Sequence, residues 1–485
     1  MIHKLEVKLK QHTPLIHFQH DQEGATLRAS EVKPKLDKYI LKQLDTELRV
    51  QGESQGWIKR NNDKVWLDYK MQIVAGGRRY EHTLSIINDK NKCAVVFEEV
   101  TMTIRCPEHL SILSETLKKH IRDFFVVYNF GFRQSKGYGS FTVKTITLNG
   151  EIQQPVVEQD YQKILSNVYE SVQSFPINKE NISLGINLSK YIALNNEAYR
   201  YNKKKINEIC TIQIPVDRTS FNANFVFCDH KASVQKKIDE KVQEVRGLKN
   251  DNGYHFEGNL DDLIASCKCK EKIDEIHHDF LFRYFEAIDK SISDKYQLYK
   301  SGRNYPYNKS GIRNFWGGLQ NNTEIVYWDK RFIKQKIQQL NLSPRLKDLH
   351  QKDGESEISR SDPKNQSYFF IRALLGLEGN FEFQTEDPRK KYVVLVEKNK
   401  DIERFQSIII FKVIDNKVYT CIKPKQELKQ ILNKSFNLTV KIKGGGSLST
   451  GKEYESLDEI QTPDLTDDQI DQLYEDILNY FCPNK

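Results

Sequence analysis

Asn129-Phe130-Gly131-Phe132-Arg133-Gln134-Ser135-Lys136-Gly137-Tyr138-Gly139-Ser140-Phe141 is the stretch that decides how this 485-residue chain is read. Gly131, Gly137 and Gly139 permit backbone angles closed to other residues and let another chain approach closely. Amide groups freed from regular structure can point at phosphate oxygens. Arg133 can form two parallel bonds to a phosphate, and Lys136 adds charge. Phe132 and Tyr138 offer faces on which bases can stack, and Gln134 and Ser135 supply further polar groups. Glycine, cation and aromatic together suit RNA better than any one of them alone.

The residues on either side place this loop in a fold. Leu5, Val7 and Leu9 alternate with polar residues, the period of a strand. Ser30 is a candidate cap for a helix carrying Leu36, Ile40 and Leu44 on one face. Val65, Leu67, Tyr69 and Met71 alternate again, Gly76-Gly77-Arg78-Arg79 reads as a turn, and Cys93 to Ile104 reads as a strand. Pro107 can begin a helix whose buried face is Leu110, Leu113, Leu117 and Ile121. The glycine loop follows, and then a strand with Phe141, Val143, Ile146 and Leu148. Strand, helix, strand, strand, helix, loop, strand is the order of the split βαβ, or ferredoxin-like (RRM-like), unit. Its sheet can keep one face open as a platform for single-stranded RNA.

The rest of the chain divides in two. Residues 151–340 are expected to be mostly helical. Val234, Ile238, Val242 and Val245 form one stripe; Ile273, Ile276, Phe280, Tyr284, Ile288 and Ile292 form another. Within this part, Lys300 to Gly318 interleaves Arg303 and Arg313 with tyrosines, Phe315 and Trp316, a pattern that suits RNA or a protein groove. Residues 341–485 return to strands at Tyr392–Val396, Gln406–Val413, Lys417–Ile422 and Phe436–Ile442. They end in a helix marked by a Thr466/Gln469 capping box with Leu465 stapled onto Ile470. The expectation is an α+β protein: a ferredoxin-like domain over 1–150, a helical insertion, and a second, divergent module over 341–485.

Composition sets outer limits. With 74 basic and 66 acidic residues the net charge is +8, which permits a polyanionic partner without requiring one. Met1 to Lys10 lacks the apolar core of a signal peptide. No apolar run approaches the ~20 residues of a membrane span, and Ser407 to Ile414 is interrupted by Lys412. Of the eight cysteines only Cys267 and Cys269 are close, and their spacing is not that of a structural zinc site. His278-Asp279 has the look of a metal-binding pair, but the neighbouring His277 falls on an apolar stripe and no third ligand completes a set. The chain is read as cytoplasmic, with no metal, no cofactor and no membrane partner.

Gly131 to Gly139, in both content and predicted position, resembles the glycine-rich loop of the RAMP superfamily of CRISPR effector proteins. Weaker likenesses are Ile371-Arg372-Ala373-Leu374-Leu375-Gly376-Leu377 and Ile402-Glu403-Arg404-Phe405-Gln406-Ser407. Two such modules around an insertion resemble the two-module subunit of the type III-B, or Cmr, effector. The resemblance implies a subunit that holds guide RNA, and also the guide–target duplex, beside other effector subunits in antiviral defence. It implies RNA contacts along Gly131–Gly139, at the first helix (Arg28, Ser30, Lys33 and Lys35) and at Arg78 and Arg79, with Arg303 and Arg313 as further candidates. The departure is Gly444-Gly445-Gly446, which lacks the aromatic of a second full loop.

Three other readings compete. One is a RAMP-type endoribonuclease, with His12, His17, His20 and Asp21 as candidate acid–base groups near the first helix. Another is a generic RRM regulator, because Lys136-Gly137-Tyr138-Gly139 begins like the RRM octapeptide. The last is a protein–protein adaptor.

Overall fold

The computed structural model describes residues 2–16, 27–62, 64–82, 94–152, 160–177, 185–187, 210–213, 221–227, 247–250, 253–258, 285, 288–302, 310–319, 329–346, 369–377, 380–397, 402, 405–415, 417–443 and 455–483. Statements of structure concern these residues. Among them the chain is mixed α+β, built on several antiparallel sheets.

The first half opens with strand β1 (Ile2–Gln11), where Leu5, Val7 and Leu9 alternate with lysine and glutamate and so face one way. The short β2 (Leu15–Ile16) is followed by helices α1 (Ala29–Gln43) and α2 (Thr46–Ser54) and the hairpin β3 (Ile58–Asn61) and β4 (Lys64–Leu67). Two long strands, β5 (Lys70–His82) and β6 (Ala94–Pro107), lead to α3 (Ser111–Val127). After the glycine loop come β7 (Phe141–Leu148) and β8 (Glu151–Ile152). The sheet runs β2-β6-β1-β7-β8, with β5 also paired to β6. All its pairs are antiparallel. Leu5, Val7, Leu9, Met102, Ile104 and Ile146 meet Val32, Leu36 and Ile40 of α1 and Leu113, Leu117, Ile121 and Phe124 of α3 in one core.

Three local expectations are corrected. Gly76 to Arg79 is a bulge inside β5, not a turn: pairing with β6 runs from Lys70 to His82 and shifts register between Gly76 and Arg79. Gly77 at φ +70° supplies the left-handed residue that such a bulge uses. Helix α1 begins one residue before Ser30, which lies in its first turn; the cap position is Arg28, which makes no side-chain capping bond. Pro107 ends β6, and a 3₁₀ turn (Glu108–Leu110) comes before α3.

The second half begins with α4 (Tyr161–Ser166) and β9 (Ser171–Pro176). It continues with β10 (Gly185–Asn187), β11 (Cys210–Gln213), β12 (Phe221–Phe227), β13 (Gly247–Asn250) and β14 (Gly253–Gly258). The last five form one antiparallel sheet, so the described part of 151–340 holds strands as well as helices. Phe221, Ala223, Phe225 and Phe227 recur at every second position, the period of a strand. The stripe at Val234–Val245, most of that at Ile273–Ile292, His277, His278, Cys267 and Cys269 lie outside the described residues. A π-turn (Lys290–Asp294) runs into α5 (Lys295–Ser301), followed by α6 (Gly311–Leu319) and α7 (Asp329–Gln339).

The last part holds β15 (Asn380–Gln384), β16 (Lys391–Val396), β17 (Ile409–Ile414), β18 (Lys417–Ile422), α8 (Lys425–Lys429), β19 (Ser435–Lys443), β20 (Glu455–Gln461) and α9 (Asp467–Phe481). One sheet is β15-β16-β19-β20 and another is β17-β18-β9. Strand β9, early in the chain, thus pairs with β18, about 245 residues later. Tyr296, Tyr299, Ile312 and Trp316 of α5 and α6 also share a core with Ile470, Leu473 and Phe481 of α9. Helix α9 carries the capping box read from Thr466 and Gln469. Gly444-Gly445-Gly446 lies outside the described residues. Among those described, no helix is long and apolar enough to cross a membrane.

Gly139 sits at φ +66°, and a Cβ there would lie 1.9 Å from the Phe130 carbonyl oxygen. Gly139→Ala is expected to cost about 3 kcal/mol or more. Gly317 in α6 has nothing within 4 Å of an added Cβ, and Gly317→Ala is expected to be neutral or to gain up to ~1 kcal/mol. Urea unfolding of the two variants checks the contrast; equal midpoints would refute it.

Candidate nucleic-acid interface

The glycine loop is a closed structure. Asn129 and Ser140 bridge its neck, and Phe130 N–H donates to the Gly139 carbonyl at 3.0 Å. Lys136 N–H donates to Arg133 O (2.8 Å) and Gly137 N–H to Gln134 O (3.1 Å). Gly131, Arg133, Gly137 and Gly139 all have positive φ, so the chain turns sharply several times between Gly131 and Gly139. The loop is tied to the segment after β1: Phe132 N–H donates to Ile16 O (2.7 Å), Gly139 N–H to Pro14 O (2.9 Å), and Thr13 Oγ1 to Gly137 O (2.7 Å). Gly131 N–H donates to Glu31 Oε1 at 2.9 Å. The amides of Gly131, Phe132, Lys136, Gly137 and Gly139, which the sequence reading aimed at phosphates, thus all donate to acceptors inside the protein.

Much of the loop's chemistry faces the second half of the chain. Phe411 N–H of β17 donates to Ser135 O (3.0 Å), and Asn129 Nδ2 donates to Phe411 O (2.8 Å). Ser140 Oγ donates to Val413 O at 2.6 Å. Arg133 Nη2 donates to Ser293 Oγ (2.8 Å) and lies 3.4 Å from Asp289 Oδ1, beside the π-turn before α5. Burial pushes the Asp289 carboxyl above its ordinary range; Arg133, Ser293 and Tyr138 oppose that shift. The Lys136 ammonium sits over the Tyr296 ring, and Tyr138 is buried.

His12 belongs to the same seam. It is buried, its Nε2 is 2.7 Å from Thr142 Oγ1, and its Nδ1 accepts from Asp415 N–H at 3.2 Å. An accepting Nδ1 places the proton on Nε2. Both ring nitrogens are engaged in joining β1 and β7 to the turn after β17. His17, His20 and Asp21 lie outside the described residues.

The outer side of the loop meets the start of α1. Lys35 Nζ donates to Glu31 Oε1 (3.0 Å), Gln134 Oε1 (3.0 Å) and Asn129 O (3.2 Å). Together with the Gly131–Glu31 bond, these contacts fasten the first turns of α1 to the loop. Exposed here are Arg28, Ser30 and Phe132, the last 39% accessible. Lys33 points elsewhere, to Asp37 Oδ2 and Leu67 O, both at 2.8 Å, and over the Tyr69 ring. Arg79 forms an ion pair with Glu81 on β5; nothing is described of the Arg78 side chain. Arg313 is in the first turn of α6, and Arg303 lies outside the described residues. Lys136 to Gly139 precede β7 instead of lying within a strand, which separates them from the RRM octapeptide position.

The residue that sequence reasoning missed is Lys412. From β17 its ammonium reaches across the seam to Phe125 O (2.7 Å), Tyr128 O (2.9 Å) and Phe141 O (3.4 Å). The first two are at the C-terminal end of α3, where carbonyls lack helical partners and the dipole favours a cation. Burial pushes this amine well below the usual lysine range. The signal was present in the sequence as a single lysine inside the apolar run Ile408–Ile414.

Residues 2–209 match the family model described as the Cmr1 N-terminal domain, and residues 307–484 match the model described as the Cmr1 C-terminal domain. Together the two cover well over half of the chain. No curated protein matches the chain.

Lys412→Met leaves the Phe125 and Tyr128 carbonyls without a donor and is expected to destabilise the protein by about 2–4 kcal/mol. The pH dependence has a definite sign. Between the depressed folded value and the ordinary lysine value of about 10.4, the unfolded chain holds a proton that the folded chain has released. Stability therefore rises with pH through that window. Urea midpoints measured against pH should show this rise in the wild type and lose it in Lys412→Met; parallel curves would count against a depressed Lys412.

Proposed function

Because the chain belongs to the Cmr1 family and is thus a subunit of a type III CRISPR effector, we propose that it is an RNA-binding subunit, holding guide RNA and the guide–target duplex in place beside other effector subunits. The strand order of residues 1–150 supports this reading. Its four long strands lie in the spatial order fourth, first, third, second, with α1 and α3 packed on one face, the arrangement of a ferredoxin-like RAMP module. We read the β15-β16-β19-β20 sheet and its helices as a second, divergent module.

The observation that carries the proposal is the fastening of α1 to the loop tip. Arg28 and Ser30 stand about a hundred residues from Phe132 in the chain, yet the Glu31–Gly131 bond brings their backbones together. A cation and a hydroxyl at a helix start suit a phosphate, and an exposed phenyl ring beside them suits a base. Arg133 and Lys136 act differently, holding the loop to the π-turn and to α5 respectively, so that Phe132 is presented on a rigid support. The engagement of both His12 nitrogens favours binding over cleavage at that residue.

Fluorescence anisotropy with a labelled single-stranded RNA tests the assignment. Arg28→Ala is expected to weaken binding and reduce the salt slope by about 0.7, one phosphate contact. Phe132→Ala is expected to cost ~1–3 kcal/mol of affinity. Arg133→Ala is expected to lower the unfolding midpoint while leaving the salt slope unchanged. Wild-type affinity in both Arg28→Ala and Phe132→Ala at several salt concentrations would remove the site from this place.

A further inference from the structure

The face of the first sheet turned away from α1 and α3 is not uniform. At one end, Ile16, Ala94 and Val96 are buried in the large core shared with the second half of the chain. There Lys10 meets Asp415 at 2.6 Å, and His12 bonds the same residue. Beyond that point the outward positions change character. On β6 the sequence passes from Ala94 and Val96 to Thr101, Thr103 and Arg105; on β1 the corresponding positions are Lys8, Glu6 and Lys4.

The register fixes how these side chains stand. Lys4 is opposite Arg105, and Arg105 is opposite Lys70, so three cations form one row across β1, β6 and β5. Adjacent strands are ~4.8 Å apart, so the row spans about 10 Å. Two rows further along, Lys8 stands opposite Thr101 on one side and Thr145 on the other. Glu6 lies between the rows and pairs with Lys4 at 2.7 Å; Arg105 Nη1 reaches Gln72 Oε1 at 3.4 Å. Lys4, Lys8, Lys70 and Arg105 are all exposed. The threonines between them are half-buried hydroxyls within reach of the same surface. Among the described residues, the outward positions of these rows carry no aromatic ring.

Like charges directly opposite each other in a sheet are destabilising. A row of three cations is therefore a cost to the isolated fold that a polyanion laid across it would remove. A surface with cations and hydroxyls but no ring can grip phosphates and sugars; it cannot stack bases. The geometry points to the open half of this sheet as a second RNA-contact surface, one that binds the sugar–phosphate backbone without regard to base and is separate from the α1–loop junction. This inference rests on the RNA-binding reading of the chain and assigns it a further site with its own chemistry. An acidic protein surface is the other polyanion of this kind. Cations on three strands, with threonine hydroxyls at neighbouring outward positions, fit the phosphates and sugars of RNA better.

The test uses the full chain and two labelled RNAs of equal length, oligo(U) and a mixed sequence. Lys8→Gln/Lys70→Gln/Arg105→Gln is compared with Lys8→Arg/Lys70→Arg, with circular dichroism melts confirming the fold of each. Loss of three phosphate contacts should lower the salt slope by about 2 and weaken binding at least about tenfold at low salt, equally for both RNAs. The arginine variant should bind like the wild type. A triple variant with wild-type affinity and slope, in a chain that binds RNA, overturns the surface while leaving the α1–loop site standing. A wild-type chain that binds neither RNA overturns both. A triple variant that binds RNA normally but no longer co-purifies with other effector subunits overturns the RNA assignment of this face in favour of a protein interface.

Discussion

The Lys412 ammonium, buried among the last carbonyls of α3, is the contact on which the arrangement of the two halves turns. Removing a lysine from water is costly, and here three carbonyl acceptors and the favourable end of a helix dipole offset part of the cost. Neither side can be satisfied alone. Without Lys412 the end of α3 would keep buried, unpaired carbonyls; without α3 the lysine would carry an uncompensated charge inside an apolar strand. Because β17 is paired with β18, and β18 with β9, the lysine also ties α3 to a sheet drawn from two distant parts of the sequence.

The glycine loop exploits the same strand. Phe411 and Val413, on either side of Lys412, offer backbone groups to Ser135, Asn129 and Ser140. A loop that must pass between α3 and β17 while making these bonds has little room. Gly139 lies against the Phe130 carbonyl, and Gly137 lies against Val413 and Ile292. The glycines are thus explained by close packing between the halves, and the rigid loop that results holds Phe132 out beside α1. Cations of similar appearance end in different roles: Arg133 holds the π-turn before α5 and Lys136 lies on α5, Lys33 and Lys35 brace α1, and Lys4, Lys8, Lys70 and Arg105 remain on the surface.

Much of the first half was legible from local pattern. Two-residue alternation in β1 and β6, the apolar stripe of α3 and the capping box of α9 each report a nearly local constraint: which side of an element meets water. The errors came where one local pattern allowed two outcomes. Gly76-Gly77 suits a turn or a bulge, and only the continuous pairing of β5 with β6 distinguishes them. Phe221–Phe227 likewise has the two-residue period of a strand, and the antiparallel sheet it joins is built from segments far apart in the chain.

The sequence by itself determined the order of the long strands and of α1 and α3 in residues 1–150, the α+β class, and the presence of a loop rich in glycine, cation and aromatic residues. Only the tertiary structure decided which of those cations and rings are buried in the seam and which face outward. The reason is physical: a side chain's availability depends on what covers it, and the cover over this loop is β17, whose Phe411 carbonyl lies 282 residues from the Asn129 that bonds it. No periodicity within a short window carries information over that distance. Lys412 shows the same limit, since a lysine in an apolar strand reads as an interruption until the carbonyls that receive it are in place.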